Sequence, residues 1–234
     1  MPAQSRLAIE DQYPIRDWDK LQLFSLNTPN GVKVGVALEE LGLEYEPHQV
    51  NIGDGEQKTA AFLEINPNGK IPVLIDPHGP GGRRLVLMES GAILLHLSEI
   101  TGRLMPTDPL ERAACLQWLF FQVGHVGPMF GQLGHFHRIG RKKTEDTYAL
   151  ERYTAETRRL LDILETRLTS REFIVGDAYS IADIAIFPWV RTLIGFYDAA
   201  EQVGFADFPR VGAWLEGLLA RPQVQAGIKV TGDR

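Results

Sequence analysis

The spacing of apolar residues along the chain changes character near residue 103. Before it, short apolar runs alternate with helical stripes. The run Leu21-Gln22-Leu23-Phe24-Ser25-Leu26 stops at Asn27-Thr28-Pro29-Asn30-Gly31, the pattern of a buried strand entering a turn. From Val32 to Leu41 the residues Val34, Ala37, Leu38 and Leu41 recur at helical spacing, and Gly42 stands where a helix stops. Glu44 to Ile52 reads as a second strand, followed by a polar loop and short helix over Gly53 to Ile65. After the turn signal Asn66-Pro67-Asn68-Gly69-Lys70, the runs Ile71 to Ile75 and Leu85 to Met88 predict an antiparallel hairpin, joined by the Gly/Pro-rich stretch Pro77 to Arg84. Ser90 to Ile100 then places Ile93, Leu94, Leu97 and Ile100 on one helical face, closing at Gly102. The order is βαβαββα.

Beyond residue 103 no strand pattern returns. Asp108 to about Gly124 is strongly apolar, with Leu116, Trp118, Leu119, Phe120 and Phe121, as in a core or interface helix. Leu150, Tyr153, Thr157, Leu160, Leu161, Leu164 and Leu168 form an amphipathic stripe. Ser180-Ile181-Ala182-Asp183 has the form of a capping box, with Tyr179 and Ile184 placed as its hydrophobic staple. Pro209 to Leu219 is one more helix. The reading is a polar arm over 1–20, a mixed α/β domain over 21–102 and an all-α domain over 108–234.

Composition narrows the functional classes. Across 234 residues, 24 Lys+Arg stand against 30 Asp+Glu for a formal net charge of −6, which argues against nucleic acid as a partner because phosphate binding needs a basic face. No stretch approaches the roughly 18 consecutive apolar residues of a membrane span. The first twenty residues are charged and lack the apolar run of a secretory signal. The single cysteine, Cys115, permits neither an intrachain disulfide nor a cysteine metal cluster, so the expected home is a reducing cytoplasm. His125, His135 and His137 are not joined by a carboxylate and read as loop or pocket-lining residues, so no metal site is expected.

Three junctions carry candidate chemistry. Thr28 and Asn30 stand where the first strand meets a helix N-terminus, which stabilises an anion through free N–H groups and a positive dipole end; alternatively one of them simply caps the helix. Pro72 at a strand start suggests a sheet edge or a cis bond, leaving the backbone of Ile71 free to pair with an extended peptide, or a proline-initiated strand with no ligand. Glu89 beside Ser90 at a strand-to-helix junction can hold an amino-acid zwitterion, although Ser90 could equally be a cap.

The segments TPNG, NPNGKIP and ESGAILLHL, followed by a helical half containing SIADIA, resemble the glutathione transferase superfamily over residues 21 to about 222. With LQWLFFQVG, GPMFGQ, LERY and SIADIAIFPWV, the chain is most similar to its nu class of glutathione-dependent disulfide-bond reductases. The resemblance implies a thioredoxin-like first domain that binds glutathione and a helical second domain for the other substrate and for homodimerisation. It places Thr28 and Asn30 at the glutathione sulfur as catalytic groups. It gives Gln57, Lys70, Ile71, Pro72, Glu89 and Ser90 to the tripeptide, with Pro72 as a cis-proline, and Arg152 to glutathione from the neighbouring subunit. No Tyr or Cys lies in the first turn, and no C-x-x-C pair exists, so the implied enzyme borrows its thiols from glutathione. Disulfide reduction, with organic peroxides as further substrates, is the implied activity. Conjugation of electrophiles and a non-enzymatic glutathione-binding module are the alternatives.

Overall fold

The computed structural model describes residues 6–232. They form two units, 6–101 with 223–232, and 102–222. In the first, strands β1 (Leu21–Ser25), β2 (Tyr45–Gln49), β3 (Val73–Gly79) and β4 (Arg83–Met88) make one sheet in the order β2-β1-β3-β4. β1 runs parallel to β2 and antiparallel to β3, and β4 is antiparallel to β3. This is the mixed sheet of a thioredoxin-like domain, as the βαβαββα pattern predicts.

Helix α1 (Ile9–Gln12) lies inside the segment that reads as a polar arm. α2 (Pro29–Leu41), α3 (Ala60–Ile65) and α4 (Ser90–Thr101) follow the predicted order. Side chains alternate across a strand, so β1 and β3 each present two faces. Phe24, Val73 and Ile75 pack one face against Ile9, Val50, Phe62 and Ile65. The arm is therefore part of this core: Leu7, Tyr13, Ile15 and Trp18 pack against the cluster, and the Tyr13 ring meets Phe24 edge-on at 5.6 Å. Its apolar residues converge in space without sharing a period, so no pattern in the sequence marks them. Residues 1–5 of the predicted arm lie outside the described residues.

One of the two readings of Pro72 falls away, and one further prediction needs correction. Pro72 does not mark a sheet edge, because β3 lies between β1 and β4. The prolyl bond Ile71-Pro72 is cis, and both residues precede the ladder. The segment after residue 222 also departs from the helical half. α10 (Pro222–Lys229) packs with the thioredoxin-like unit through a glycine pair. A Cβ on Gly227 would stand 2.4 Å from Val36 Cα, and one on Gly35 would stand 2.4 Å from the Gly227 carbonyl oxygen. Gly227→Ala is expected to cost about 2 kcal/mol, because the obstruction is backbone and cannot rotate away. Urea denaturation measures this, and an unchanged midpoint would show that the close approach is not needed.

The second unit is helical, as predicted. α5 (Pro109–Phe121) runs through a π-helical turn at Gln122–Val126 into α6 (Gly127–Gly134), and a second π-helical turn follows at His135–Ile139. α7 (Tyr148–Arg167), α8 (Ile181–Ile194) and α9 (Pro209–Leu219) complete it. Ser180 and Asp183 form the predicted capping box at the start of α8. No helix among the described residues is long and apolar enough to cross a membrane.

Candidate functional site

Strand register brings the candidate residues of the first unit to one end of its sheet. Phe24 pairs with Val73, which pairs with Met88, while Ser25 pairs with Gln49 of β2. Just past this row, β1 runs out to Thr28 and Asn30, and the chain enters β3 through Lys70, Ile71 and Pro72. At the same end β4 runs out to Glu89 and Ser90, and β2 leads towards Gln57. Four stretches far apart in sequence thus converge because β1, β2 and β4 run in one direction and leave the sheet at the end where the oppositely directed β3 enters it.

Thr28 is the N-cap of α2, and its Oγ1 accepts a hydrogen bond from the Gly31 N–H at 3.2 Å. The cap leaves the hydroxyl hydrogen itself available, so capping and donation to a ligand are compatible. Gly31 allows α2 to begin this close to the strand. A Cβ there would stand 2.0 Å from the Leu26 carbonyl oxygen. Pro29 occupies the first helical turn, where its missing N–H costs nothing. Ser25 is fully buried within β1, with its hydroxyl 3.4 Å from the Leu26 carbonyl oxygen, which places it behind the turn.

Gln57 belongs to a short 3-10 turn at Glu56–Lys58. Its Nε2 donates to the Ile52 carbonyl at 3.3 Å, and its Oε1 is buried with no hydrogen-bond partner among the described residues. An acceptor held this way costs free energy until a donor arrives, which suits a ligand contact. Asn66 Nδ2 donates to the Lys70 carbonyl at 2.6 Å, fixing the approach to Ile71 and Pro72, while the Lys70 side chain stays exposed.

Glu89 links β4 to α4 with φ +71°, a left-handed conformation that non-glycine residues seldom adopt. Its side chain is exposed, and its carbonyl accepts from the Ile93 N–H. Ser90 opens α4 and is buried. Beneath it lies a residue that the sequence does not single out. Lys33 of α2 is 1% exposed, and its Nζ donates to Ser90 Oγ at 3.2 Å. Burial pushes its pKa down to about 7, with the Glu89 charge opposing. A lysine at a helical position ordinarily reads as solvated, so only the packing of α2 against α4 reveals its burial.

Arg152 is exposed on α7 in the helical unit. Cys115 is buried in α5, and burial pushes its thiol pKa up, with Ser180 and the Ala182 backbone opposing. A thiol so held is a poor nucleophile. No group of His, Cys, Asp or Glu among the described residues is arranged to hold a metal ion.

The site therefore combines a helix N-terminus bearing a hydroxyl and an amide, a cis-prolyl entry to a central strand, and a Glu-Ser pair backed by a cation. Family models decide which lineage built it. Residues 19–99 match the glutathione S-transferase N-terminal domain, and residues 128–222 match the C-terminal domain. The chain belongs to the glutathione S-transferase family. Among relatives of this transferase, disulfide-bond oxidoreductase YfcG of Escherichia coli (strain K12) is 44% identical over 86% of the chain and 91% of its own length. Disulfide-bond oxidoreductase YghU of the same organism is 43% identical over 88% of the chain and 73% of its own length. A glutathione transferase from Pseudomonas putida, crystallised with one glutathione disulfide bound per subunit, superposes with a TM-score of 0.95. It is 48% identical, covering 97% of this chain and 98% of that one.

Proposed function

We propose that this transferase is a glutathione-dependent disulfide-bond reductase. The observation that carries the proposal is a thioredoxin-like ligand site without any cysteine: the α2 N-terminus offers Thr28 and Asn30, and the chain's one thiol is buried in the other unit. Two relatives named as disulfide-bond oxidoreductases, YfcG and YghU, and the glutathione disulfide held by the Pseudomonas putida transferase support it.

In this reading, glutathione lies along the sheet end. The backbone of Ile71 pairs with the tripeptide, Gln57 and Lys70 hold it, and Glu89 and Ser90 take its amino-acid end. Its sulfur sits at the α2 N-terminus. An unperturbed thiol has a pKa of about 8.5, and each unit of lowering needs ~1.4 kcal/mol of preferential stabilisation of the thiolate. A hydroxyl hydrogen bond and a helix dipole end supply terms of this size.

The thiolate attacks one sulfur of a substrate disulfide, forming the glutathione mixed disulfide and expelling the other sulfur as a thiolate that takes up a proton. A second glutathione thiolate then attacks the glutathione sulfur of the mixed disulfide and expels the remaining substrate thiolate. Two glutathiones and one disulfide become glutathione disulfide and two thiols. Thr28 and Asn30 act by lowering the cost of holding the thiolate; a threonine hydroxyl is a donor and not a base at neutral pH.

We assign homodimerisation to the helical unit, where Leu110 and Phe120 of α5 are 82% and 68% exposed, and Arg152 to the neighbouring subunit's glutathione. We also assign the protein to the cytoplasm, a reading supported by the proposed use of reduced glutathione and by the lone cysteine. Purified protein assayed in parallel with glutathione plus a small dialkyl disulfide, and glutathione plus an aryl halide, tests the activity. Disulfide reduction is expected to exceed conjugation by at least about tenfold relative to the respective uncatalysed rates. Efficient conjugation with disulfide reduction at background would identify a conjugating transferase instead.

A further inference from the structure

A buried ammonium is expensive unless its donors are satisfied and a negative charge comes near. Lys33 is 1% exposed on α2, and its Nζ donates to Ser90 Oγ at 3.2 Å. In its ammonium form Lys33 has three donors and no acceptor, so protonation fixes the direction of the serine: Oγ accepts, and its single hydrogen points elsewhere. Ser90 begins α4, a helix of 12 residues whose N-terminal dipole end adds to the same positive field. The cation, the hydroxyl it bonds and the start of α4 thus meet at the Glu-Ser junction.

We infer that Lys33 is a positioning residue for glutathione, holding the Ser90 hydroxyl with its hydrogen towards the α-carboxylate of the γ-glutamyl end and supplying the buried positive charge that this carboxylate neutralises. The inference rests on the glutathione reading above and extends it to a residue beneath the site. The chain carries a net charge of −6, so an anionic ligand is held by local cations of this kind against the sign of the whole molecule.

Among the groups around Lys33, Glu89 is the charge that favours its ammonium form. β1 carries no charged residue. On α4, His96 is tied to Asp76 of β3 at 2.8 Å, and Glu99 is exposed, as is Lys229 of α10. With its pKa pushed down to about 7, Lys33 is mostly neutral above that pH in the free protein. A bound carboxylate favours the ammonium, so binding takes up a proton above pH 7, and affinity falls as pH rises, by up to about tenfold per unit.

The test uses S-methylglutathione, which has no thiol to titrate, and isothermal calorimetry on the full-length protein. At pH 7.5, measured in two buffers of different ionisation enthalpy, the parent is expected to take up about half a proton on binding. Lys33→Met is expected to bind about tenfold more weakly at pH 6.5 and to lose the proton uptake. In turnover it should raise the KM for glutathione about tenfold while lowering kcat less than threefold. Ser90→Ala should show a similar loss of affinity, and Lys33→Met/Ser90→Ala little more than either alone, as expected for groups acting as one unit. Equal affinity and equal proton uptake in parent and Lys33→Met would overturn the inference. So would losses that simply add in the double variant. If Lys33→Met does not fold, absence of proton uptake by the parent decides against it. If the parent does not bind S-methylglutathione at all, the glutathione reading itself fails and this inference with it.

Discussion

Replacing Thr28 and Asn30 together by alanine is expected to lower kcat/KM for glutathione-dependent disulfide reduction about 100-fold, a loss of ~2.7 kcal/mol of transition-state stabilisation. Hydrogen bonds to charged groups contribute roughly 1.5–3 kcal/mol, and in the proposed mechanism the thiolate is the charged group at this helix end. Thr28 also caps α2 through the Gly31 N–H, so its removal carries a stability cost of ~1 kcal/mol that has to be separated from the chemistry. Thr28→Ser makes the separation, since serine keeps both the cap and the donor and should retain turnover within about threefold. Binding of S-methylglutathione should survive in the double alanine variant, because in the proposed arrangement that ligand is held at Ile71 and Ser90 rather than through a thiolate. Turnover unchanged in Thr28→Ala/Asn30→Ala would remove these residues from the catalytic assignment even if glutathione still bound.

The largest stability effect is expected at Asp183. This carboxylate is fully buried and accepts four hydrogen bonds. Oδ1 takes the Ile174 N–H at 2.9 Å and the Trp214 Nε1–H at 3.0 Å. Oδ2 takes the Ser180 N–H at 3.1 Å and its hydroxyl at 3.0 Å. Burial pushes the Asp183 pKa up, and the four donors oppose it. One side chain therefore ties the loop before α8, the cap of α8 and an indole of α9 together. Asp183→Ala leaves three N–H donors buried without an acceptor, each costing roughly 1–3 kcal/mol, so the expected loss is about 4 kcal/mol. Chemical denaturation followed by tryptophan fluorescence measures it. A loss below about 1 kcal/mol would mean that water replaces the carboxylate and that the network is not a keystone of the helical unit.

Elements with a strong local signal were legible in the sequence. β1 ends at a breaker cluster, α2 ends at Gly42 in a left-handed conformation, and α8 begins at a capping box written in four consecutive residues. The candidate residues Thr28, Ile71, Glu89 and Ser90 were legible as junctions because helix ends and prolines leave marks in sequence. What escaped depends on contacts distant in the chain. α1 has only four residues, and its buried Ile9 belongs to no repeating stripe. α10 is held to α2 by Gly35 and Gly227, which are 227 − 35 = 192 positions apart and have no side chains to register a pattern. Lys33 is polar at a position where polarity signals exposure, and its burial follows from α4 closing over α2. Pro72 read as either an edge residue or a cis bond, because a proline cannot donate within a ladder; the bond is cis and precedes the ladder, so the central position of β3 costs no hydrogen bond.

The claim on which the rest depends is that the working sulfur belongs to glutathione and not to the protein. Cys115 is the chain's one thiol, buried and remote in chemistry from the α2 N-terminus. Cys115→Ala yields a protein with no thiol at all, and its rate of reducing a small dialkyl disulfide, with and without glutathione, is the direct measurement. The expected result is turnover within about twofold of the parent, wholly dependent on added glutathione. Loss of disulfide reduction in a folded Cys115→Ala protein would contradict the account, since a protein thiol would then be part of the reaction.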